Sequence, residues 1–149
     1  LEWSEVTRLD LQYRHTALTH FQWKSRLVIS WYSESPGKDP GYAAVQQFSW
    51  SPYTFLKVTF QVVHFRVKDW ENRIYLYEPG LLHQFQFPVC YGHGEKIASV
   101  FTLKGGRHFT VSCKIATSIK NAETSSLPGD QTVYWQRKWD LALQLRLRF

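Results

Sequence analysis

The chain has 149 residues, a net charge of +6 and 17% aromatic residues (Trp 7, Tyr 8, Phe 10), a length that suits one ordinary domain. No run of about 18 apolar residues occurs, so no transmembrane helix is available. The ring content excludes a disordered chain, and suits either a soluble β-sandwich that buries its rings or a membrane barrel that turns them toward lipid.

No run of Lys and Arg exceeds two residues, so a nucleic-acid surface is not expected of this segment. Leu1 to Arg8 carries charges and no apolar stretch, so no signal peptide is expected there. The absence of Met suggests a mature product or a fragment of a longer protein.

In chain order, the pattern predicts strands throughout, without a 3.6-residue period. Thr7 to Arg14 sets Leu9, Leu11 and Tyr13 against Arg8, Asp10, Gln12 and Arg14. His20 to Tyr32 sets Phe21, Trp23, Leu27, Ile29 and Trp31 against His20, Gln22, Lys24, Arg26 and Ser30. Trp23 and Trp31 would lie about 26 Å apart, close to the height of a membrane barrel's apolar band. Ser35 to Gly41 reads as a polar loop. Tyr42 to Trp50 is a weak strand with apolar residues on both parities. Phe55 to Val62 alternates cleanly, and a parity shift to Val63, Phe65 and Val67 suggests a bulge.

The stretch from Arg73 to Gly94 lacks alternation, and Pro79 and Pro88 exclude a regular central strand. It is expected to be a strand end followed by a structured loop that folds into or over the barrel mouth. Lys96 to Lys104 and His108 to Ser118 are strands, joined by a tight hairpin at Gly105-Gly106. Lys120 to Asp130 is a longer loop.

Trp139 to Phe149 is the clearest segment. Trp139, Leu141, Leu143, Leu145, Leu147 and Phe149 share one parity, and Asp140, Ala142, Gln144, Arg146 and Arg148 share the other. Successive strand side chains face opposite ways, so this strand has one apolar and one polar face. Its length matches the ~9–11 residues a tilted strand needs to cross a bilayer. The expected architecture is an all-β, antiparallel up-and-down meander of about seven to eight strands. It forms one domain over residues 1–149, as a transmembrane β-barrel or the C-terminal part of a larger one.

No nucleotide-binding loop, Gly-x-Ser-x-Gly or His-Glu-x-x-His occurs, and no carboxylate pair has glycosidase spacing. No enzyme activity, metal or other cofactor is therefore expected. His83 and His93 would need further ligands to hold a metal. Cys90 and Cys113 are open to either a disulfide or two free thiols. Glu78, near Arg73 and Tyr75, is expected to join a structural charge pair anchoring the loop, because a carboxylate buried in a barrel needs a cation. Arg73, Tyr75, Tyr77 and Glu78 are the candidate loop anchor.

The segments Arg73 to Glu78 (RIYLYE), Leu81-Leu82, Phe87-Pro88-Val89 and Tyr91-Gly92-His93-Gly94 resemble a bacterial pattern. It belongs to Bacteroidota envelope proteins with an N-terminal helix-hairpin-helix region and a β-rich C-terminal part. The similarity covers roughly residues 54–149. Asn72 stands where the family usually has an acidic or small residue, and Phe85-Gln86-Phe87 is more aromatic than usual. The resemblance implies an outer-membrane barrel, with the lipid bilayer, the barrel assembly machinery and further envelope proteins as partners. The helix-hairpin-helix part is not in this sequence, so no DNA function carries over.

Two functional expectations follow. In the first, the chain is a structural or transport barrel of the bacterial outer membrane, its lumen lined by Arg, Gln and Lys. Trp139, Leu141 and Leu143 then face lipid, and Leu145, Leu147 and Phe149 resemble an assembly signal. In the second, a soluble β-sandwich binds carbohydrate through Trp31, Trp50, Trp70 and Trp135.

Overall fold

A computed structural model describes residues 6–17, 19–32, 39–81, 86–123 and 133–148, with side chains described outside 121–135. Seven long strands form one antiparallel sheet. They are β1 (Val6–Ala17), β2 (Phe21–Tyr32), β3 (Gly41–Tyr53), β4 (Leu56–Val67), β7 (Gly92–Gly105), β8 (Phe109–Glu123) and β9 (Val133–Leu147). Their spatial order follows the chain, so the sheet is an up-and-down meander with β1 and β9 at its edges. Two short strands, β5 (Ile74–Tyr75) and β6 (Val89–Cys90), pair with each other in the excursion between β4 and β7. The expected all-β meander is therefore the observed fold.

One face of the sheet, here called inner, carries that excursion. Ile74, Leu76 and Cys90 of the loop pack with Val28, Ala43, Val45, Val63, Phe65 and Val67 of β2, β3 and β4. Full burial of an Ile or Leu side chain contributes about 1.5–3 kcal/mol, so Ile74 and Leu76 alone give the loop substantial adhesion. This packing also explains two departures from simple alternation. β3 is a full strand, apolar on both parities because Ala43 and Val45 lie under the loop.

The bulge expected near Val62 and Val63 is absent. β4 pairs with β7 in one register from Leu56↔Leu103 to Val67↔Gly92. Val63, Phe65 and Val67 are apolar because they line the loop's seat, not because the strand slips. The register shift lies instead between β3 and β4, around Trp50 and Tyr53. Pro52 sits inside it, and proline has no N–H to give to the ladder.

The excursion behaves as a structured loop on the inner face. A 3₁₀ turn over Trp70–Asn72 opens it, and an isolated bridge joins Glu78 to Gln86. Neither Pro79 nor Pro88 enters the main sheet. Gly92 and Gly94 belong to β7. Gly92 has φ 85°, a conformation that glycine adopts without strain. The β7–β8 hairpin closes through Gly106, at φ 66°.

Gly94 faces Phe65 and β8, where an added Cβ would run into the backbone carbonyl of Ile119. Because backbone must move to admit that methyl, Gly94→Ala is expected to destabilise the fold by about 1–3 kcal/mol. The urea midpoint reads this. An unchanged midpoint would mean that β7 and β8 are not this close.

Candidate functional site

The register sorts every long strand into the same two faces. On the outer face lie Leu9, Leu11 and Tyr13 of β1, Phe21, Trp23, Leu27, Ile29 and Trp31 of β2, and Phe48 and Trp50 of β3. Leu56, Val58, Phe60 and Val62 of β4, and Phe101 and Leu103 of β7, continue it. Beyond them come Phe109, Val111 and Ile115 of β8, then the row from Trp139 to Leu147 of β9.

Among the described residues, nothing covers that surface. Leu141 and Leu143 are 74% and 72% exposed, and Trp139, Leu145 and Leu147 are all above half. Monomeric soluble proteins seldom leave a contiguous apolar surface of this breadth open. Polar groups on this face are partly self-satisfied. Trp23 Nε1 donates to Gln46 Oε1 at 2.7 Å, and Gln46 Nε2 donates to Ser25 Oγ at 2.8 Å.

The apolar band runs obliquely to the hydrogen-bonded rows. One row connects Tyr13, Ser25, Gln46, Val62, Ile97, Thr117 and Trp139. Tyr13 ends the apolar run of β1 on the short-turn side, whereas Trp139 begins that of β9 on the long-loop side. The band spans the eight-residue step from Trp139 to Leu147, about 26 Å along a strand, and six strand spacings come to about 29 Å. Averaged over the sheet, strand and band normal are inclined by about 40°, within the tilt of membrane barrels.

Outside the loop's seat the inner face is mostly polar, with Ala98, Val100 and Ala116 its buried apolar exceptions. Its charges pair where carboxylates are available. Arg26 Nε donates to both carboxylate oxygens of Asp10, at 2.9 and 3.1 Å. Lys114, fully buried, lies 2.6 Å from Glu78 Oε1 and 3.7 Å from Asp140 Oδ2, and bonds Gln86 Oε1. Two more side chains hold the loop through its backbone. Gln61 Nε2 donates to the Tyr77 carbonyl at 3.2 Å, and Lys96 Nζ to the Val89 carbonyl at 3.3 Å.

The four residues expected as a loop anchor thus divide. Glu78 makes the ion pair, but its cation is Lys114 of β8. Arg73 bonds instead to the Tyr75 hydroxyl at 2.9 Å and the Trp70 carbonyl at 3.2 Å, on the loop's exposed side. Tyr77 contributes its carbonyl, while its ring stands against Phe87. Sequence spacing favoured Arg73 because it is near in the chain. Lys114 looked like one more polar-parity residue, and only the fold brings it to Glu78.

Leu145 and Leu147 continue the exposed row, whereas Phe149, His83 and the side chain of Trp135 lie outside the described residues. Trp31 and Trp50 stand at opposite ends of the outer face, since Trp50 pairs with Phe21, ten residues along β2 from Trp31. That is about 33 Å, too far for one sugar platform. Trp70 lies in the loop against Tyr91 and under Arg73.

Cys90 and Cys113 are free thiols. Cys90 sits in the loop core and Cys113 on the outer parity of β8. Burial pushes the Cys90 thiol pKa up, which favours the unreactive protonated form. No group of three or more His, Cys, Asp or Glu residues fit to hold a metal occurs among the described residues. No helix among them is long and apolar enough to cross a membrane.

No protein-family model matches the chain, and no curated protein or solved structure does either.

Lys114 is the residue on which the loop's ionic tether turns. Lys114→Met would leave the largely buried Glu78 without its cation, so a loss of about 3 kcal/mol is expected. Adding Glu78→Gln should recover most of it, because the uncompensated charge is then gone. Denaturation midpoints of the single and double variants read both effects. Equal losses in the two would mean that the pair does not fasten the loop.

Proposed function

We propose that the chain forms a β-barrel wall in a bacterial outer membrane, as a structural or transport component with a basic lumen. The observation that carries this reading is the exposed outer face, apolar across all seven strands, backed by a polar inner face. In a soluble sandwich the leucine row of β9 would lie beneath a second sheet; here it lies open. The obliquity of the apolar band supports the same reading, because strands in a closed barrel tilt by this amount. The Trp23–Gln46–Ser25 hydrogen bonds suit lipid contact, where polar groups have no water to turn to.

The strand count adds a constraint. β1 and β9 run in the same direction, since seven antiparallel strands separate into odd and even. Antiparallel closure takes an even number, as in bacterial single-chain barrels. In this reading an odd number of further strands completes the wall between β9 and β1. The Bacteroidota helix-hairpin-helix envelope proteins remain the family proposed from the sequence, with the assembly machinery as the partner that would read Leu145, Leu147 and Phe149.

The carbohydrate-binding alternative would need aromatic side chains grouped on one platform, and Trp31, Trp50 and Trp70 are dispersed.

Two measurements test the membrane reading. The chain should require detergent and show heat-modifiable gel mobility. Leu143→Arg should weaken folding into lipid vesicles by about 2–4 kcal/mol, as a cation near the bilayer midplane does. Gln12→Arg, exposed on the inner parity of β1, should have little effect. A chain that is monomeric and soluble without detergent, or equally sensitive at both positions, would end this reading.

A further inference from the structure

The loop covers only part of the inner face. On the short-turn side it leaves a cavity of about 830 Å³, walled by β4, β7, β8, β9 and the β7–β8 turn. Lys57, Lys104, Arg107, Arg146 and Arg148 line it, and no carboxylate does so among the described residues. Elsewhere on this face the carboxylates of the described residues are already engaged, Asp10 with Arg26 and both Glu78 and Asp140 with Lys114. None of the five cations takes part in those pairs.

We infer that this cavity binds a multivalent phosphate-class anion. Five cations around one concavity repel one another, and a bound polyanion removes that repulsion. Three are arginines, whose planar fork binds phosphate oxygens in pairs. Neutral hydroxyls sit between the charges, with Ser112 Oγ donating to Thr102 Oγ1 at 3.3 Å. Lys104, Thr110 and Arg146 share one row, and Thr102 and Ser112 lie on the row beside it. Lys104 and Arg146 are two strands apart, roughly 10 Å. That separation suits a chain of two or three phosphates better than a single one. The cavity opens on the inner face, away from the apolar surface, which favours a soluble anion over a lipid headgroup. The inference rests on the cavity and its charges, and it stands whether or not the outer face contacts lipid.

Calorimetric titration of the detergent-solubilised full chain with tripolyphosphate tests it. Saturable binding at one site per chain, weakened by salt, is expected. Arg107→Gln combined with Arg146→Gln should weaken it at least tenfold, whereas Arg8→Gln, on the inner face outside the cavity, should leave it unchanged. A parallel arm measures binding to phosphatidylglycerol vesicles. Tripolyphosphate binding assigns the soluble source. Vesicle binding that the double variant loses, without tripolyphosphate binding, moves the same phosphate chemistry to a headgroup and overturns the soluble assignment. Binding to neither, or equal weakening by Arg8→Gln, overturns the site. None of these outcomes bears on the gel-mobility and vesicle-folding tests of the membrane reading.

Discussion

Strand geometry allows a side chain only two directions, and one continuous register carries that choice from β1 to β9. The apolar parity of β9 points the same way as Leu11, Leu27, Phe60, Phe101 and Ile115 because no pairing slips by one between neighbouring strands, apart from the shift at Pro52 near a turn. A slip of one residue anywhere else would turn a whole strand over. In β9 it would exchange four leucines for Asp140, Ala142, Gln144 and Arg146. The separation of faces is therefore cooperative, and everything else on the molecule is placed relative to it.

The loop between β4 and β7 complicates that division on one side only. At one end it is held by apolar packing against β2, β3 and β4, and at the other by the buried ammonium of Lys114. The two attachments have different physics. Apolar packing is broad and tolerant of small shifts, whereas an ion pair in a buried setting is sensitive to the loss of either partner. Gln61 and Lys96, which grip backbone carbonyls, fix the loop's position without demanding a particular loop side chain. This leaves the inner face in two parts, one dry and packed, the other open and cationic.

The strands whose faces see uniform surroundings were legible in the sequence. β9 and β1 carry one apolar and one polar parity because, among the described residues, nothing covers their apolar row and no apolar part of the loop packs on their polar one, so the alternation stands uncorrupted. β3 and the second half of β4 were harder. Their inner residues Ala43, Val45, Val63 and Phe65 are apolar for the loop's sake, so local pattern suggested a weak strand and a bulge. The anchor was half legible: Glu78 required a cation, but a residue 36 positions away supplies it. The cationic cavity was not legible at all. Lys57, Lys104 and Arg146 each read as an ordinary polar-parity residue, and only the strand order places them around one space. A search for cations on the polar parity at the same end of successive hairpins would have found them.

Exposure of the outer face sets a direction for the energetics. Covering one leucine is worth about 1.5–3 kcal/mol, and Leu141, Leu143, Leu145 and Leu147 all stand more than half exposed. In water that surface is a standing penalty and favours association through the oily face. In a hydrocarbon environment the same area becomes the gain that holds the sheet in place, while Asp10, Gln144 and Arg146 keep to the hydrated side. Lipid would leave the backbone edges of β1 and β9 as the costly groups, since unpaired N–H and C=O groups have no water there. Face and edge then make opposite demands on the surroundings, and a closed wall of paired strands is the arrangement that meets both.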